Sequence, residues 1–128
     1  ELFEVERLFK ESAGDLSAHL RKEELMLFPY IRQLVKAQIS GGKKPVTKMG
    51  DAAEYIALME DDHNVEGERF RTISELTDNY NPPADACNTY KVTFSLLQEF
   101  EENLHRHIHL ENNILFPKSI ALNEAITD

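Results

Sequence analysis

The sequence predicts an all-α protein, an up-down antiparallel four-helix bundle of which the chain supplies about three long helices. Three observations carry this. Apolar residues recur at three- and four-residue steps over three long stretches, the repeat of one helix face. Glycine and proline collect at two places between them. No stretch alternates with the period of two that a half-buried strand requires.

Leu8, Ser12, Leu16, His19, Glu23 and Leu27 share the face of a first helix expected from about residue 2 to the high thirties. Pro29 withholds a backbone donor and predicts a bend there. Ser40-Gly41-Gly42-Lys43-Lys44-Pro45 reads as a loop. From Lys48 to about Thr77, Ile56, Met59, His63, Gly67, Phe70, Ile73 and Thr77 share a second face. Asn79-Tyr80-Asn81-Pro82-Pro83 is a stop, and Asp85 or a neighbour is expected to cap a third helix. That helix carries Phe94, Leu97, Phe100, Leu104, His107 and Glu111 on one face and is expected to reach Pro117.

Composition narrows the function classes. The 128 residues are 41% hydrophobic and 29% charged, the make-up of one globular domain. A formal charge of −9 repels phosphate backbones and anionic head groups, which argues against nucleic-acid and membrane-surface partners. No apolar run reaches the roughly 20 residues that span a bilayer, and the single Cys87 forms no internal disulfide, so a reduced cytoplasm is the expected setting. The chain starts at Glu1 within an amphipathic pattern, and we expect a fragment of something longer.

One pattern occurs twice. His19-x3-Glu23-x3-Leu27-Phe28-Pro29 and His107-x3-Glu111-x3-Leu115-Phe116-Pro117 both spell H-x3-E-x3-L-F-P. Residues four apart on a helix stack with Cβ atoms about 5–6 Å apart, so each pair aims an imidazole and a carboxylate at one point. A single such pair is ordinarily an exposed contact worth about 0.2–0.5 kcal/mol. Here both pairs share stripes with Leu16, Leu27, Leu104 and Leu115, where an unpartnered buried carboxylate costs several kcal/mol and a cation removes that cost. His63, between Met59 and Gly67 on the inward stripe, adds a donor from the middle helix. Alone it would be read as a satisfied core histidine.

Three imidazoles and two carboxylates without thiolate suit iron, manganese or zinc, and bridging carboxylates favour two ions. His19, Glu23, His63, His107 and Glu111 are therefore the expected metal ligands. Ferritin-like bundles instead use Glu-x-x-His. His105 and His109 stand about 200° round the helix from His107 and are expected at the surface. Cys87 is expected as a buried thiol at a helix start, and Asp62 and Glu66 on a solvated acidic face.

His-Ile-His-Leu-Glu-Asn-Asn-Ile-Leu-Phe-Pro at 107–117, preceded by Leu104-His105, resembles the hemerythrin-like domain of the iron–sulfur cluster repair di-iron proteins, the RIC family. Lys22-Glu23-Glu24, Leu27-Phe28-Pro29, Asp62-His63 with Gly67, and Leu76-Thr77-Asp78-Asn79-Tyr80 with Pro83, Ala86 and Cys87 extend the resemblance over essentially the whole chain. It implies two non-haem irons bridged by Glu23 and Glu111, with His19, His63 and His107 as terminal ligands. Family members usually carry Glu where Asp62 stands. Oxygen-carrying hemerythrins have a second histidine four residues after the middle-helix one and H-x4-D on the last helix, places where this chain has Gly67 and Glu111.

The implied role is repair of iron–sulfur clusters after oxidative or nitrosative damage, by iron donation or by nitric oxide chemistry. The alternative is a module that binds or senses oxygen or nitric oxide without turnover. The implied partners are damaged iron–sulfur proteins or small diatomic ligands. The resemblance also implies an earlier helix bearing a further ligand, absent from this sequence. A homo-oligomer or an exchanged helix would then complete the bundle.

Overall fold

The computed structural model describes residues 2–42 and 52–126 and is helical throughout its long elements. Helix α1 (Leu2–Lys22) passes through a π turn (Glu23–Leu27) into α2 (Phe28–Ser40). Helix α3 (Ala52–Leu76) runs back, and α4 (Asn88–Leu110) passes through a second π turn (Glu111–Leu115) into α5 (Phe116–Ala125). Three antiparallel rods result, as the sequence predicts. The expected loop at 43–45 and helix start at Lys48 lie outside the described residues.

Neither proline breaks its rod. A proline inside an α-helix lacks the N–H that bonds one turn back, and its ring strikes the carbonyl there. Each π turn closes with a five-residue bond, Phe28 N–H to Glu23 O and Phe116 N–H to Glu111 O. Pro29 and Pro117 thereby fall in the first turn of the next α-helix, where no donor is required. The third rod consequently runs past Pro117 to Ala125, correcting the expectation that it ends at that proline.

The ends follow local chemistry. Gly41 takes φ 69° and closes α2 with its N–H on Ala37 O, the left-handed cap that favours glycine. After α3, Asp78, Asn79 and Tyr80 all have positive φ. Thr77 Oγ1 donates to Ile73 O at 2.8 Å and accepts from Tyr80 N–H at 3.1 Å, tying that turn to the helix. Cys87, not Asp85, is the N-cap residue of α4 and makes no side-chain capping bond. Its thiol is exposed, because a residue entering the helix here lies outside the packed stripe. This corrects the expected burial.

Two apolar layers hold the rods together. Val5, Leu8, Phe70, Ile73, Tyr80, Phe94 and Leu104 form one. Leu27, Ile56, Met59 and Phe116 form the other, continued by Tyr30, Leu34, Ala52 and Ile126. The residues left between these layers are polar.

Candidate metal centre

His19, Glu23, His63 and Glu111 are buried between the layers, at 3%, 1%, 3% and 4% exposure. Helix spacing places His19 one turn before Glu23 and His107 one turn before Glu111, while α3 inserts His63 between the rods. His19 Nε2 is 2.7 Å from Glu23 Oε1, and His63 Nε2 is 2.9 Å from Glu111 Oε1. The two imidazole Nε2 atoms are 3.1 Å apart. One donor atom from each of these four residues lies within 4.8 Å of the others.

His107 stands at the edge of this group. Its Nε2 is 3.1 Å from Glu111 Oε1 and 3.6 Å from Glu23 Oε1. That atom is buried, although the side chain as a whole is 41% exposed. The outer part of the ring lines an apolar cavity of about 310 Å3 with Leu16, Leu20, Phe100 and Leu104. A second cavity, of about 250 Å3, reaches His19 and His63 past Asp15, Lys22, Asp62 and Glu66.

A cation fits this arrangement. Glu23 Oε1, both carboxylate oxygens of Glu111 and His107 Nε2 are buried without a well-aligned hydrogen bond. Buried polar atoms are otherwise almost always paired. Imidazole nitrogen and carboxylate oxygen are borderline-to-hard donors suited to iron, manganese or zinc.

The imidazoles are also held from behind. His19 Nδ1–H donates to Asp62 Oδ2 at 3.0 Å, and His63 Nδ1–H donates to Asn112 Oδ1 at 2.8 Å. Both rings thereby present Nε2 to the interior, an arrangement typical of metal-ligating histidine. Asp62 is thus a partner of His19 and also lies 3.6 Å from Lys22 Nζ. It does not simply belong to a solvated face.

Glu66 is corrected more fully. It is 3% exposed and accepts from Arg69 Nη1 at 2.6 Å, while Arg69 also reaches Asp15 at 3.0 Å. Its position three residues after His63, on the inward stripe, was the available sequence signal. Asn112 had no such signal, because its role depends on which helix lies opposite. His105 and His109 face outward as expected. His105 lies 3.7 Å from Glu101, and His109 pairs with Asn113 at 3.0 Å.

Burial works against charge on His19, but the neighbouring carboxylates of Glu111, Glu23 and Asp62 outweigh it and push the imidazole up to about 10. The adjacent carboxylates of Glu111 and Glu23 push His107 up to about 10 against its own desolvation. Burial opposes the charge on Glu111, yet the imidazoles of His107, His19 and His63 around it hold it far below the ordinary carboxylate range. Both imidazoles are raised above their ordinary value of 6.5. The stability they contribute is therefore complete below that value and disappears as pH rises through about 10.

A metal must displace those protons. Affinity is expected to rise with pH from about 7 to 10, with release of about two protons per chain at the lower end. Titration calorimetry in buffers of different ionisation enthalpy measures the count. A pH-independent affinity with no proton release would contradict the arrangement.

A model of the hemerythrin HHE cation binding domain matches residues 1–119. The chain is 41% identical over 106 residues to the iron-sulfur cluster repair protein YtfE of Musicola paradisiaca, covering 83% of this chain and 42% of that protein. Over 124 residues it is 41% identical to a probable iron-sulfur cluster repair protein of Haemophilus influenzae, covering 94% and 46%. Over 107 residues it is 38% identical to the YtfE of Escherichia coli O81, covering 84% and 43%. The chain thus spans less than half the length of these relatives. No helix among the described residues is long and apolar enough to cross a membrane.

Proposed function

Because the chain belongs to the hemerythrin HHE cation-binding domain family, we propose that it holds two non-haem iron ions and serves the repair of iron–sulfur clusters damaged by oxidative or nitrosative stress. In this reading His19, Glu23, His63, His107 and Glu111 would hold the ions through their imidazole nitrogens and carboxylate oxygens. The observation that carries it is the convergence of two buried glutamates and three imidazole Nε2 atoms with no lysine or arginine recorded in contact with either carboxylate among the described residues. Manganese and zinc suit the same donors.

When bound, iron supplies open coordination positions for nitric oxide or oxygen species, or is itself the material donated to a damaged cluster. The chain's own residues do the rest. Asp62 and Asn112 orient two imidazoles, and the layer of Leu27, Ile56, Met59 and Phe116 closes one side against water.

The names of the relatives support damaged iron–sulfur proteins as partners. An apolar groove of about 560 Å3 between α1 and α4, lined by Leu2, Val5, Phe9, Phe94, Leu97 and Phe100, supports a helix from a second copy, or an exchanged helix, completing the bundle. A reduced cytoplasmic setting suits the lone exposed thiol.

Metal analysis, combined with reactivation of a nitric-oxide-damaged [4Fe–4S] enzyme, tests the function. About two irons per chain and reactivation by the unsubstituted chain are expected, both lost in Glu23→Ala. Iron binding with nitric oxide uptake but no reactivation would favour the sensing module instead.

A further inference from the structure

We propose that Asn112 is a positioning residue for the metal centre, fixing the tautomer and direction of the His63 imidazole through its amide oxygen. The inference rests on the reading of His63 as a ligand.

Two of the contacts that hold His63 come from the second π turn and the residue just after it. His63 Nδ1–H donates to Asn112 Oδ1 at 2.8 Å. The ring of Phe116 lies parallel to the imidazole, with centroids 5.7 Å apart and planes within 6°. In an uninterrupted α-helix a residue five places after Glu111 would stand about 140° round from it. The extra residue accommodated in the π turn returns Phe116 toward the face that buries Glu111. One short segment thus supplies a carboxylate, an amide acceptor and an aromatic wall to the same imidazole.

The chemical consequence concerns the proton. A neutral imidazole carries one N–H, and the hydrogen bond at one nitrogen decides which nitrogen keeps a lone pair. With Asn112 accepting from Nδ1–H, Nε2 is free to ligate, 2.9 Å from Glu111 Oε1. The amide does for His63 what the Asp62 carboxylate does for His19, without adding charge to a site that already buries two carboxylates.

Asn112→Leu preserves the approximate volume and removes the acceptor, whereas Asn112→Asp restores it. Zn(II), a diamagnetic ion, serves as the probe in competition with a chelator, and 1H–15N spectra of the Zn(II)-loaded chain follow the His63 Nδ1 proton. The leucine variant is expected to bind Zn(II) about 10–100-fold more weakly and to lose the slowly exchanging Nδ1 proton. The aspartate variant is expected to recover both. A similar thermal midpoint of the unloaded variants establishes that folding is intact. Unchanged affinity and an unchanged Nδ1 proton in the leucine variant would overturn the role of Asn112 while leaving the centre standing. No Zn(II) uptake by the unsubstituted chain would instead overturn the metal reading and this inference with it.

Discussion

Glu111→Ala is expected to abolish tight metal binding, with an affinity loss beyond the roughly 10–100-fold typical of changes one shell further out. Glu111 Oε1 lies 2.9 Å from His63 Nε2, 3.1 Å from His107 Nε2 and 3.9 Å from His19 Nε2, so one substitution removes the group these imidazoles share. The unloaded chain is also expected to lose about 3–5 kcal/mol, because deleting one member of a buried charged pair strands the other. Glu111→Gln separates these effects: it keeps the shape and an acceptor but loses the charge. It should recover part of the stability and little of the affinity. Denaturant unfolding with and without added Fe(II) reads both, since a ligand bound only by the folded state raises the midpoint. A Glu111→Ala chain that Fe(II) still stabilises as strongly as the original would remove Glu111 from the centre.

Phe70→Ala is expected to cost about 3–5 kcal/mol through a different mechanism. The ring is fully buried in the apolar layer of α1, α3 and α4. It meets Phe9 edge-on at 6.3 Å and stacks on Phe100 at 5.4 Å. Seven residues, about 10 Å along a helix, separate it from His63. Its loss should therefore lower the unfolding midpoint while leaving metal content per folded chain unchanged. A change in stoichiometry without a change in midpoint would show that the layer and the centre are not the separate units they look to be.

Much of the fold was legible because helix periodicity is local. Of the residues assigned to one face by spacing, Ile56, Met59, His63, Phe70, Ile73 and Thr77 are buried and Gly67 is half-buried. The π turns were not legible, because the same H-x3-E-x3-L-F-P string is consistent with a helix that ends at proline. What separates the outcomes is whether the segment beyond the proline has a surface to pack on. Here Phe116 buries against Leu27, Ile56 and Met59, and Tyr30 of α2 hydrogen-bonds Asn123 of α5 at 2.7 Å. Those contacts favour continuing the rod over ending it.

The candidate centre divides in the same way. The sequence by itself pointed to four of the five proposed ligands, His19, Glu23, His107 and Glu111, since an imidazole and a carboxylate one turn apart are brought together by the geometry of a single helix, whereas His63 was picked out only by its place on the inward stripe beside those pairs. Only the tertiary structure decided that Asp62 backs His19, that Asn112 and Phe116 hold His63, and that His107 is left half-exposed beside an apolar cavity. Those relations depend on the register and rotation of one rod against another. That register is set by the summed packing of both apolar layers.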